Sequence, residues 1–167
     1  MDEKTIHKTI YGQFQSGLHC AEAVSKTVLE IFSDEPHPEV IRSASGFGGG
    51  IGGSMDELCG AFTGGVLALG FLTGRENPGG SLKECGELIN EYKTRFLEQF
   101  GSLNCGAIKK SMSDQAECAK LTAESAVILA ELLNHSGLET HEDPGIVVIQ
   151  SDQKSKTEQC PFSAHHR

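Results

Sequence analysis

The sequence predicts an all-α fold: a compact bundle of four to five helices with a glycine-rich loop and a flexible C-terminal tail. Three observations carry that expectation. Apolar residues recur at three- and four-residue steps along most of the chain. Two Ser-x-x-Glu patterns, Ser54–Glu57 and Ser81–Glu84, have the form of capping boxes, in which each side chain satisfies a free N–H at a helix start. The one strand-like run, GIVVIQ at 145–150, has no second run to pair with, and a single strand makes no sheet.

Taken in order, Ile6 and Ile10 open a first helix that Gly12 and Gly17 weaken. A second helix starts near His19 and places Cys20, Val24, Thr27, Val28 and Ile31 on one side. It must stop before Pro36 and Pro38, which cannot continue a helix. Residues 39–45 suit a short helix. The Ser54 capping box predicts a helix from there to Thr73, with Gly74 just beyond its end. Leu82, Cys85, Leu88, Ile89, Tyr92, Phe96 and Phe100 mark a long amphipathic helix. The stretch GSLNCGAIKKS reads as a broken connector carrying Cys105. A last helix runs from about Ser113 to His135, capped by Ser113 or Asp114 and ended by Gly137. Residues 1–140 are thus expected to form one helical domain and 141–167 a polar tail.

With a net charge of −9 and no basic block with interleaved aromatics, neither nucleic acid nor an anionic membrane is an expected partner. The longest weakly polar stretch, residues 59–74, is shorter than the ~20 residues a spanning helix needs. The charged opening MDEKTIHKTI does not read as a signal peptide, so a cytoplasmic location is expected.

The most unusual segment is GFGGGIGGSMDELCGAFTGG, residues 46–65. Gly48, Gly50 and Gly53 match G-x-G-x-x-G, but no strand precedes them and Thr73 stands where a ribose-binding acid would be. No nucleotide is expected. Gly60, Gly64 and Ala68, four residues apart, would let a neighbouring helix approach closely. The glycines before Ser54 have another use: a loop whose uncovered N–H groups can face an anion or a sulfur.

The chain has six cysteines. Without a secretory context these are core residues, metal ligands or redox groups rather than a disulfide framework. No C-x-x-C occurs, so no zinc ribbon, thioredoxin-type pair or haem attachment is written locally, and no haem is expected. Cys20 and Cys59 both fall near expected helix starts, where a thiolate is stabilised. Cys85 fits a core-facing stripe. Cys160, His165 and His166 lie in the expected tail.

The segment HCAEAV around Cys20, the glycine lead FGGGIGG, the motif CGAFTG from Cys59 to Gly64, and two further cysteines, Cys105 after FGSLN and Cys118, together resemble the C_GCAxxG_C_C family, regarded as redox-active. The similarity spans roughly residues 5–135, and a related domain occurs in split-Soret cytochromes. The resemblance implies a redox-active or electron-transfer protein with Cys20, Cys59, Cys105 and Cys118 gathered into one centre. They would act as ligands to an iron–sulfur cluster or another thiolate-bound metal, or as thiol–disulfide pairs. In the disulfide form Cys59 is the expected nucleophile and Cys20 its resolving partner. In the cluster form the N–H groups of Gly48, Gly49, Gly50, Gly52 and Gly53 would bond the sulfurs. A structural or storage zinc module is the competing expectation, since four thiolates also suit tetrahedral zinc. The resemblance names a site more than a reaction. It leaves open the redox partner, whether the activity is enzymatic, and whether a homodimer completes the site. Cys85 and Cys160 match no family position.

Overall fold

The computed structural model describes residues 1–137, and over that range the chain is built from helices alone. These are α1 (Glu3–Gln15), α2 (Cys20–Phe32), α3 (Pro38–Ala44), α4 (Gly60–Thr73), α5 (Lys83–Phe100), α6 (Cys105–Lys109) and α7 (Gln115–His135), with one 3-10 turn at Ser45–Phe47. Five of the seven exceed ten residues; α3 and α6 are short. The expected tail, the run 145–150, Cys160, His165 and His166 lie outside the described residues. No helix among the described residues is long and apolar enough to cross a membrane.

Capping residues explain most of the boundaries. The Asp2 carboxylate accepts from Thr5 N at 2.7 Å, starting α1. Glu22 reaches back to accept from His19 N at 2.8 Å, starting α2 at Cys20. Asp114 accepts from Glu117 N at 3.1 Å, and Glu117 in turn accepts from Ser113 N at 2.6 Å, which settles the start of α7. Each contact removes an N–H that the helix itself leaves unbonded.

Two expected boundaries change. The helix predicted from Ser54 begins only at Gly60, so Cys59 is its N-cap rather than a residue of its second turn. Met55 sits at φ +64°, a left-handed conformation that cannot open a helix, and residues 48–57 form turns and bends. Ser54 N donates to Gly50 O at 3.0 Å instead of capping anything. Gly74 ends α4 in an extended conformation rather than a left-handed one. The connector around Cys105 holds a five-residue helix, α6, capped by Asn104, whose carbonyl accepts from Ala107 N at 2.8 Å.

Helices α2 and α4 pack most closely, and glycine makes this possible. A Cβ on Gly64 would stand 2.3 Å from Ala21 O, and one on Gly60 would stand 2.4 Å from Cys20 Sγ. The expectation that Gly60 and Gly64 admit another helix therefore holds, and the helix admitted is α2. Ser25 then bridges both helices, its hydroxyl lying 2.7 Å from Ala21 O and 2.9 Å from Gly64 O and sharing its one proton between them. On the other side of α4, a Cβ on Gly65 would collide with the Tyr92 ring. The Tyr92 hydroxyl lies 3.0 Å from Ala61 O and 2.6 Å from Ser125 Oγ, tying α4, α5 and α7 together. Phe62, Tyr92, Phe96 and Phe100 form the aromatic centre of the core. Among the described residues no buried side-chain N or O lacks a partner, as native cores require.

Candidate four-cysteine site

Cys20, Cys59, Cys105 and Cys118 line one cavity of about 500 Å³. Each comes from the start of a different helix. Cys20 opens α2, Cys59 caps α4, Cys105 opens α6 and Cys118 lies in the first turn of α7. All four carry free thiols. Cys85 is buried on α5 and takes no part in the cavity wall.

Two of the loops are zipped together. Leu58 and Asn104 form an isolated antiparallel bridge, with Cys59 N donating to Leu103 O at 2.7 Å and Cys105 N donating to Glu57 O at 2.8 Å. The Asn104 side-chain amide adds a bond to Asp56 O. This bridge brings the loops of Cys59 and Cys105 together although α4 and α5 separate them in sequence. The start of α2 is anchored through Glu22, which also accepts from Ser45 Oγ at 2.7 Å and so holds the entry to the glycine loop beside it.

The glycine loop is used unevenly. Gly48, Gly49 and Gly53 line the cavity, whereas Gly50 and Gly52 do not. The Gly49 amide is near enough to Cys20 to favour its thiolate. The N–H groups of Gly52, Gly53, Ser54 and Met55 are spent on the carbonyls of Gly46, Gly48, Gly50 and Gly49. Gly50 has a steric role: it sits at φ +71°, and a Cβ there would lie 2.9 Å from Cys105 Cβ. The loop therefore offers a specific amide to one sulfur and closes tightly behind another.

The electrostatics of the four thiols diverge. A hydrogen bond from the Cys118 thiol, against the opposing effect of burial, lowers the Cys20 pKa to about 6. N–H groups of Gly49 and Ala21 and the neighbouring His19 add to the lowering. Cys118 is pushed the other way, first by that same bond, in which it is the donor, and then by burial. Burial pushes Cys59 up to about 12, the Cys20 charge adding to it and the N–H groups of Ala61 and Phe62 opposing it. Burial and the Cys20 charge also raise Cys105, with Lys109 pulling back. The Cys118 thiol thus lowers Cys20, whereas burial raises Cys59, although both stand at helix starts.

Sequence reasoning did not single out Met55, Met112, Phe14, His19 or Lys109, yet all line the same cavity. Met55 Sδ lies 4.0 Å from Cys105 Sγ and 3.8 Å from Lys109 Nζ. The left-handed Met55 that prevents a helix at Ser54 brings its side chain here, and nothing in the linear pattern signals that.

No three His, Cys, Asp or Glu side chains among the described residues are gathered closely enough to hold a single metal ion. The arrangement does not fit a preformed tetrahedral zinc site, whose thiolates stand about 2.3 Å from the metal. For a cluster, which spreads its thiolates around a larger inorganic core, the donor chemistry fits: four thiols on one cavity, with backbone N–H groups at two of the sulfurs.

The family model described as "Putative redox-active protein (C_GCAxxG_C_C)" matches residues 18–132, and the chain belongs to this family. Among curated proteins and among solved structures, nothing matches the chain.

Proposed function

We propose that this member of the C_GCAxxG_C_C family is a thiol–disulfide redox protein in which Cys20 attacks and Cys118 resolves. The observation that carries the reading is that Cys20, the first residue of α2, and Cys118, in the first turn of α7, line one cavity as free thiols, with the Cys20 pKa drawn down by its Cys118 neighbour. The expected nucleophile, Cys59, is replaced in this reading because burial keeps its sulfur protonated.

The Cys20 thiolate attacks one sulfur of a partner disulfide, protein-borne or small, and the partner's other sulfur leaves as a thiolate. Forming the mixed disulfide removes the negative charge from Cys20. Cys118 thereby loses the bond and the charge that held its proton, so its thiol ionises more readily. The Cys118 thiolate then attacks Cys20 Sγ, closing the Cys20–Cys118 disulfide and releasing the partner as a dithiol. Two electrons have passed from this protein to the partner, together with the one proton of Cys118; the second proton of the partner dithiol comes from solvent, because Cys20 entered the reaction as a thiolate. The reverse sequence oxidises a partner dithiol. The cavity wall supplies the rim through Lys109, Asp114 and Gln115, which are exposed.

A second reading is supported by all four cysteines sharing one cavity: they would hold an iron–sulfur cluster, which supplies one-electron transfer without proton movement. Ala21, Gly49, Ala61 and Phe62 would then present their N–H groups to the ligand sulfurs, stabilising the reduced, more negative state.

Anaerobic purification, iron and acid-labile sulfide analysis, and mass-mapped thiol counting before and after mild oxidation separate the two. The thiol reading expects no stoichiometric iron and the loss of two thiols, mapped to Cys20 and Cys118. Stoichiometric iron and sulfide protecting four thiols would replace it with the cluster reading. Oxidation that spares Cys20 and Cys118 would remove it.

A further inference from the structure

The thiol-exchange reading leaves Cys59, Cys105 and Met55 unused, yet they face the same space. Of the chain's six cysteines and three methionines, four cysteines and two methionines line this single cavity. Redox exchange between Cys20 and Cys118 has no need of a thioether. A sulfur-lined cavity is, however, what soft, polarisable cations select, since thiolate and thioether donors favour Cu(I) over the harder divalent ions.

We infer that Cys105 and Met55, both on the wall of this cavity, form a binding site for a soft monovalent cation, with Cu(I) as its natural probe. Cys105 Sγ and Met55 Sδ stand 4.0 Å apart. With metal–sulfur bonds of about 2.3 Å, the length that thiolates make to zinc, that separation corresponds to a sulfur–metal–sulfur angle of roughly 120°. Such an angle suits three-coordination, with the third position facing the cavity, where Cys59 is the remaining sulfur on the zipped pair of loops.

The pair is held rigidly for a surface loop. Gly106 passes so close to Met55 that a Cβ there would stand 2.4 Å from Met55 O, and Gly50 would meet Met55 Cα at 3.3 Å. Binding takes one proton from the Cys105 thiol and leaves a neutral copper–thiolate unit. Lys109, 3.8 Å from Met55 Sδ, therefore faces no net positive charge when the site is filled. The thioether sets the preference: it is a weak donor to Zn(II) and a good one to Cu(I).

This site is independent of the thiol-exchange reading, because it uses Cys105 and Met55 rather than Cys20 and Cys118. Reduced full-length protein is titrated anaerobically with Cu(I) against bicinchoninate, a chromogenic competitor. The wild type is expected to retain one Cu(I). Met55→Leu, conservative in volume and 40% exposed in the wild type, should weaken retention at least about tenfold and leave Zn(II) binding unchanged. Cys105→Ser should abolish it, and Cys118→Ser should change it by less than about threefold while eliminating the intramolecular disulfide. Retention unchanged in Met55→Leu, equal losses in Cys118→Ser and Cys105→Ser, or no retained Cu(I) would each overturn the inference. Should Cys105→Ser fail to fold, the Met55→Leu arm decides alone.

Discussion

Two cysteines of the cavity, at the starts of α2 and α4, behave oppositely. At Cys20 the neighbouring Cys118 thiol, with the Gly49 and Ala21 amides, outweighs burial and brings the pKa down to about 6. At Cys59 the Ala61 and Phe62 amides act in the same sense, yet burial wins and the pKa rises to about 12. Cys59 also feels the negative charge that Cys20 has acquired. The lesson is quantitative: a helix start and two amides do not compensate a buried sulfur for lost hydration, whereas an added side-chain donor does. Once one thiol in a small cavity ionises, its neighbours are held neutral.

The comparison can be broken hardest at the Cys105 end. Gly50→Ala places a Cβ at φ +71° and 2.9 Å from Cys105 Cβ. We expect a loss of about 2–3 kcal/mol in urea denaturation from left-handed strain and overpacking together. The pH profile of Cys20 alkylation should stay in place if the two ends are independent. A profile that moves with this substitution would show that they are not.

Removing the donor tests the other end. Cys118→Ala should raise the midpoint of Cys20 alkylation by more than about one pH unit, or roughly 1.4 kcal/mol. The rate at neutral pH should fall only a few-fold, because a thiolate of higher pKa is intrinsically more nucleophilic. Cys118→Ser, whose hydroxyl still donates, should recover part of the shift. An unchanged midpoint in Cys118→Ala would mean that the amides alone hold the thiolate.

A smaller effect links the same bond to stability. The folded pKa of Cys20 lies below that of an unfolded thiol, so its contribution is present above the unfolded value and is lost as pH falls toward about 6. Denaturation midpoints measured between pH 9 and 6 should decline more steeply in the wild type than in Cys20→Ser. Equal slopes would remove Cys20 as the source. Cys59, raised to about 12, acts with the opposite sign at higher pH: its contribution is present below the unfolded value and lost as pH rises toward 12.

The smallest change is expected away from both ends. Cys85→Ala should cost no more than about 1 kcal/mol, the loss of a small buried group, and leave thiol mapping, alkylation and Cu(I) retention untouched. A redox phenotype there would mean that the cavity is not the whole centre.

Much of the helical framework was legible because its signals are local. Pro36 and Pro38 stop α2 where expected, and Asp114 caps α7. Gly64 foretold a close helix partner because only small residues fit such a contact. The boundary error at Ser54 has a nonlocal cause: Cys59 N is claimed by Leu103 O, a partner supplied by a distant loop, so the local capping pattern loses to it. The gathering of Cys20, Cys59, Cys105 and Cys118 on one cavity was legible through the family motif, but their pKa order was not. That order depends on which sulfur faces which N–H, and Cys118 stands far from Cys20 in sequence. Met55 was invisible for the same reason, since its place beside Cys105 comes from a single left-handed residue.

The Leu58–Asn104 bridge also has a kinetic meaning. It closes a loop that contains all of α4 and α5, and such closures come late because their entropy is spent before any contact rewards it. Until it forms, Cys105 is an ordinary thiol on an open chain. Any sulfur chemistry that needs the shared cavity is therefore gated by assembly: a chain still folding carries separate cysteines, and only the finished bundle gathers them.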